Sequence, residues 1–441
     1  MNVHTARRAV PVTLKAKPLL VPAVLLFSLV LVRAPILMGH TQLTLLPFVA
    51  AILSLTIWRA GWRACPWVLL AGAYLALVVI AAIRGRHLGI LSQNAMVLEV
   101  VQLTLIALLG MFAFLRETSE HKRSRYLRAL CWAPIAYVAV NVALYFAGVT
   151  APNASEGSHL AATTLQALGI PMTRVQFPLA SGVNAFGPIC AIAFALSATL
   201  ALGGEQRTLA ILGALVSLYA ILAIDSRGAL VFGLLAVALV KFIPRARRRG
   251  LGWVAISLPL LPILLMLTLG ALSSSLSASL SRNSTTGAQS ITDGTGRTVV
   301  WQEAAKTMIK PSLGSVLGYG RDGQITSGTS VGYAYLFRGH LVDPLTASAH
   351  NMVLQTGLDL GWLGILCVLT LAAVVLVRLS RHAGNPLYTA LLAAALAALL
   401  IGIVEAAPTP SNPESFIFWM LTVFTAMRPS DLPGEGNQAV S

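Results

Sequence analysis

Long apolar runs alternate with short polar stretches along nearly the whole chain. About twelve of the runs are long enough to cross a bilayer, which takes roughly 20 residues per helix. They fall near 19–38, 41–58, 66–83, 95–115, 129–148, 184–202, 208–225, 228–243, 251–271, 351–377, 388–406 and 414–427. The runs are long and carry few charges, so the pattern predicts an all-α polytopic membrane protein. One polar stretch is far longer than the rest and separates the ninth run from the tenth, at 272–350. Within it, 297–310 has a helical period, with Val300, Trp301, Ala304 and Met308 on one face and Pro311 as the stop. The glycine-rich stretch 312–323 then turns back toward the membrane.

Composition supports this reading. The 441 residues are 56% hydrophobic and 10% charged, a balance that only lipid tolerates in long runs. The net charge of +16 would suggest nucleic acid in a soluble chain, but here the cations sit in loops between apolar runs. About twenty of the 31 lysines and arginines fall on one side if the N-terminus is cytoplasmic. That topology gives helices 1–9 over 1–271, with an outer loop at 148–184, a large outer loop at 272–350, helices 10–12 over 351–427 and a cytoplasmic tail at 428–441. No small-residue cleavage pattern follows the first apolar run, which reads as a retained helix. Cys65, Cys131, Cys190 and Cys367 all lie in or beside apolar runs and read as free buried thiols.

The cations that violate the bias are the informative ones. Arg84, Arg86, Arg174, Arg227, Arg297 and Arg321 all fall on the outer side. An arginine near the hydrocarbon is costly unless it serves a purpose. Arginine grips phosphate through paired, charge-assisted hydrogen bonds, so a set of them at one face suits a phosphate or pyrophosphate head group. Asp225 beside Arg227 offers the plainer reading of an interfacial ion pair. His350 stands at the mouth of the tenth run, where a neutral imidazole can accept a proton from a hydroxyl. A structural hydrogen bonder is the alternative there. Asn351 beside it can orient an acceptor or cap the helix. Gln355 and Asp359 follow inside the same run and imply a polar interior.

Several chemistries lack their motifs. The chain has no GxxxxGK[ST] loop, no Asp-x-Asp pair and no His/Cys cluster at zinc spacing, so no nucleotide, metal or other cofactor is expected.

Three pieces in order resemble a known family: SRG at 226–228, GR-x3-W at 296–301, and AHN-x2-L-x5-LGWLG at 349–364. The segment 174–187 resembles the same family's Arg…Asn stretch ahead of a span. The family is the bacterial O-antigen ligase and polymerase superfamily of inner-membrane glycan transferases. The resemblance implies a GT-C-like helical membrane fold and a metal-independent inverting glycosyltransferase. Its donor would be a glycan on undecaprenyl pyrophosphate, met at the periplasmic face. Arg227, Arg297 and His350 match the family's functional positions. Arg174, Arg84, Arg86, Asn351 and Arg321 are then expected to hold substrate. The spacing of Arg227, Arg297 and His350 is more similar to the ligase branch, with lipid A–core as acceptor, than to the polymerase branch. A twelve-helix secondary transporter is the competing class, and Glu99, Glu405 and Asp359 are the residues that would favour it.

Overall fold

The computed structural model describes residues 66–87, 120–151, 174–180, 182–244, 250–257, 297–338, 343–382 and 384–427. Among them all regular structure is helical. In chain order the helices are α1 Pro66–His87, α2 Glu120–Phe146, α3 Val183–Leu202, α4 Arg207–Ala223, α5 Arg227–Phe242 and α6 Leu251–Ser257. They continue with α7 Arg297–Ile309, α8 Leu313–Leu317, α9 Gly323–Thr326, α10 Met352–Arg381, α11 Pro386–Ile401 and α12 Pro413–Ala426. Short 3₁₀ turns cover Thr329–Gly332, Ala334–Phe337 and Pro344–Thr346. Four helices among the described residues are long and apolar enough to cross a membrane: α1, α2, α3 and α10. The chain is therefore a membrane protein. The expected spans at 19–38, 41–58 and 95–115, most of 251–271, and the loop stretch 272–296 lie outside the described residues.

α3 is the hub, packed on α2, α4, α5 and α11. Small residues let these helices approach closely, as membrane helices require when no hydrophobic drive exists between them. A β-carbon on Gly187 of α3 would sit 2.8 Å from Ser226 Oγ, and one on Gly213 of α4 would sit 2.8 Å from Ile135. α10 forms the second centre, against α1, α6, α8 and α11.

Three elements depart from expectation. α2 begins at Glu120, inside the basic stretch expected to be a loop, because Glu, Lys, Arg and Leu are good helix formers and the helix continues past the hydrocarbon. α11 ends at Ile401 rather than near 406, with Gly402 at its C-cap, and Pro408 and Pro410 keep the helix from resuming in the loop that follows. α10 is broken at Gly361, whose φ of 70° and ψ of −169° are outside the helical region. The break is filled. Tyr319 N–H donates to Leu358 O at 2.8 Å and Gly320 N–H to Asp359 O at 3.2 Å. A β-carbon on Gly361 would lie 2.2 Å from Val316 O, and one on Gly318 would lie 2.1 Å from Asp359 O. Two glycines thus let the 312–323 segment press its backbone onto α10, and its amides take up carbonyls that the broken helix leaves open.

The basic ends fall together. Arg128, Glu205, Arg207, Lys241, Arg378 and Arg381 mark one end of the bundle, with an Arg128–Glu205 ion pair at 3.0 Å. The starts of α3, α5, α10 and α12 lie at the other end, where Asn412 Nδ2 donates to Ala185 O at 2.8 Å.

Candidate active site

His350 precedes α10 and is held by its backbone from several directions. Its φ of 46° is left-handed, a conformation that costs a non-glycine residue on the order of 1 kcal/mol and so needs support. Asn351 supplies part of it. Its Oδ1 caps α10 by accepting from Leu354 N–H at 2.9 Å, and its Nδ2 donates to Ile403 O at 2.8 Å. Met352 N–H donates to Gly402 O at 2.7 Å, tying the same turn to the loop after α11. Trp301 Nε1–H of α7 donates to Ala349 O at 3.0 Å, and Ala349 N–H donates to Gln355 Oε1 at 2.9 Å. Phe337 stacks on the imidazole at 6.0 Å between ring centroids.

The side chain that joins the site is Glu405, in the loop between α11 and α12. Its Oε1 lies 2.7 Å from Arg297 Nη2, and its Oε2 lies 3.2 Å from His350 Nδ1. Only 12% of the Glu405 side chain is exposed, against 26% for Arg297 and 15% for His350. Burial pushes the Glu405 carboxyl up, but the charge of Arg297 and the hydrogen bond from His350 outweigh it and hold the group below its ordinary value. An ionised carboxylate has no proton to give, so the imidazole Nδ1–H must donate. The lone pair of a neutral His350 then sits on Nε2, the nitrogen not engaged by Glu405. The arrangement pairs a proton acceptor with a cation and fixes the ring's tautomer and plane.

Arg227 is the first residue of α5 and is exposed. The preceding turn is tight: Asp225 is buried with φ of 52°, and Ser226 caps the helix toward Ala229 N–H. A β-carbon on the neighbouring Gly228 would meet Val404 at 3.0 Å, so the start of α5 abuts the residue next to Glu405. Arg174 braces that turn. Its Nε donates to Ile224 O at 3.0 Å and its Nη2 to Asn184 Oδ1 at 2.7 Å, while Val175 N–H donates to Ala223 O at 2.9 Å.

The other expected arginines form a separate group. Arg84 lies within α1 rather than in a loop, and its Nη1 donates to Gly318 O at 2.8 Å, just past the C-terminus of α8. Arg321 is mostly buried, with its backbone N–H on Ala81 O at 2.9 Å and its Nε 3.8 Å from Asp322. Arg86 is on α1 near Arg84, and its side chain lies outside the described residues. Beside this group, Asp359 Oδ1 accepts from Gly323 N–H and Gln355 Nε2, both at 2.9 Å. The structure therefore brings Arg297 and His350 together, sets the start of α5 beside their loop, and gives Arg84 and Asn351 work within the fold. Glu405 is the participant that sequence reading missed. The sequence marked it only as a carboxylate at the outer end of an apolar run, which would have favoured a transporter.

Residues 212–369 match the model of the O-antigen ligase family, a stretch that contains Arg227, Arg297 and His350 and stops short of Glu405. No curated protein matches the chain. Through that matched stretch this helical chain is similar to the O-antigen ligase family, whose members are glycosyltransferase-like enzymes.

Proposed function

We propose that this protein transfers a glycan from undecaprenyl pyrophosphate to an acceptor hydroxyl at the periplasmic face of a bacterial inner membrane. Its termini are then cytoplasmic, where the basic helix ends gather. The observation that carries the proposal is the contact of Glu405 with both Arg297, at 2.7 Å, and His350, at 3.2 Å. It supports the reading of Arg297 as the cation for an anionic leaving group and of the adjacent His350 as the base for a hydroxyl.

In the proposed step the acceptor oxygen attacks the anomeric carbon while the bond from that carbon to the pyrophosphate oxygen breaks. The hydroxyl proton passes to His350 Nε2, and the leaving pyrophosphate carries away the bonding electron pair. Attack opposite the leaving group inverts the anomeric centre. Arg297 keeps most of its five N–H donors for phosphate after its contact with Glu405, and Arg227 supplies a second fork. Their fixed charges stabilise the negative charge that grows on the leaving group, which makes the step independent of a metal ion. Glu405 stabilises the imidazolium that forms, as a carboxylate does behind a catalytic histidine. Arg174 acts by bracing the turn that carries Arg227.

The acceptor we favour is lipid A–core, on the spacing of the three functional residues and the ligase description of the matched family. A deletion strain tests it, with surface glycans separated by length on a gel. Free lipid A–core together with long glycan retained on its carrier is the expected result. Core bearing a single repeat would instead assign the protein to polymerisation.

A further inference from the structure

The segment from the end of α7 through α8 was expected to belong to a loop outside the membrane. We infer that it is seated in the bilayer, against the acyl chains of the leaflet on the side of the active site. The inference rests on the membrane character of the chain and not on its chemistry.

Two rulers set its depth. Arg378, near the C-terminus of α10, marks the basic end of that helix. A hydrocarbon layer of about 30 Å spans roughly 20 helical residues, so the opposite boundary falls near residue 358. α8 is docked at that level, with Val316 O against Gly361 and Gly318 against Asp359. α1 gives the same answer independently. Trp67 to Arg84 spans roughly 26 Å at 1.5 Å per residue, and Arg84 reaches the carbonyl of Gly318.

The surface matches that depth. Ile309 and Leu313 are 75% and 80% exposed, and Leu317 is 46% exposed. They continue onto the exposed face of α10 at Trp362, Leu363 and Leu366, with the Trp362 indole donating to Met308 O at 3.3 Å. Leu363 and Leu366 belong to a helix apolar enough to span the membrane, so the patch extends a lipid-facing surface rather than standing alone in water.

Non-helical backbone can lie at this depth only if its polar groups are satisfied within the protein. Here they are. Ser312 and Ser315 form a reciprocal capping box at the start of α8. At its end Arg84 takes the carbonyl of Gly318, and the amides of Tyr319 and Gly320 take the carbonyls of Leu358 and Asp359. Lys310 is exposed, and its long stem can carry the ammonium up to the interface.

Bimane attached at Leu313→Cys and Leu317→Cys tests this, with Gln302→Cys as an exposed reference on α7 and the unsubstituted protein as background for the native cysteines. The full-length protein is reconstituted in vesicles carrying nitroxide-labelled phospholipid, and quenching is compared with that by aqueous iodide. At 313 and 317 the lipid nitroxide should quench several-fold more strongly than iodide, with the reverse at 302. Iodide-dominated quenching at 313 and 317 overturns the inference, because the segment is then in water. Protection from both quenchers also overturns it, because protein then covers the patch. Neither result bears on glycan transfer, which is measured separately on the same vesicles.

Discussion

Replacing Glu405 with glutamine keeps the shape of the side chain and removes its charge. In the native protein the carboxylate serves Arg297 at 2.7 Å and His350 at 3.2 Å. A hydrogen bond to a charged group contributes about 1.5–3 kcal/mol, and Arg297 is a quarter exposed, so water recovers part of that loss. The expected cost in stability is therefore about 2 kcal/mol. The catalytic cost is larger. A glutamine amide can offer its N–H to Nδ1 and hold the ring with its proton on Nε2, the wrong nitrogen for a base. In a serine protease the equivalent change costs about 10⁴-fold in kcat. We expect kcat for glycan transfer to fall by about 10²–10⁴-fold in Glu405→Gln. The donor KM should not rise, because Arg297 loses a competing anion. Acid should also affect the two proteins differently. The Glu405 carboxyl is held below its unfolded value of about 4.3, so it adds stability above that pH and loses it as pH falls through the folded value. Thermal unfolding of the native protein should fall more steeply on acidification below about pH 4.3 than that of the variant. Reconstituted enzyme with labelled lipid-linked glycan gives kcat and KM directly. A Glu405→Gln enzyme with native kcat, or one impaired only through donor KM, would refute the reasoning.

Other substitutions separate structural from chemical roles. Asn351→Ala removes the cap of α10 and the bond to Ile403 O, so we expect a loss of about 1–2 kcal/mol in thermal unfolding with donor KM unchanged; a raised donor KM at native stability would make Asn351 a substrate ligand instead. Gly361→Ala places a β-carbon 2.2 Å from Val316 O at a positive φ, and the protein should fail to accumulate in the membrane at native levels. Gln355→Glu loses its donor to Asp359 Oδ1 and sets two carboxylates together, so transfer should drop. Adding Asp359→Asn reverses the donor and acceptor roles and should restore much of that activity; an additive double variant would show that the pair does not support the His350 turn.

Much of the helical frame was legible in the sequence. The expected runs at 184–202, 208–225 and 228–243 differ by at most a couple of residues from α3, α4 and α5, because apolar length and flanking charge determine where a helix meets water. α7 was equally plain, since Pro311 and a 3.6-residue period act locally. The break at Gly361 was hidden because a hydropathy window averages across Leu360, Gly361 and Trp362 without registering φ. Arg84 was read as a ligand because sequence shows its side but not that Gly318 O lies 2.8 Å away. Glu405 was read only as favouring a transporter, for the same reason. It lies 55 residues from His350 and 108 from Arg297, and no local pattern encodes a contact made only when α10 and α11 pack.

The most direct test of the account is glycan transfer by purified His350→Ala protein in vesicles with a chelator present. We expect the variant to bind lipid-linked donor as tightly as the native protein and to transfer none of it. Transfer at the native rate by His350→Ala would contradict the proposed chemistry.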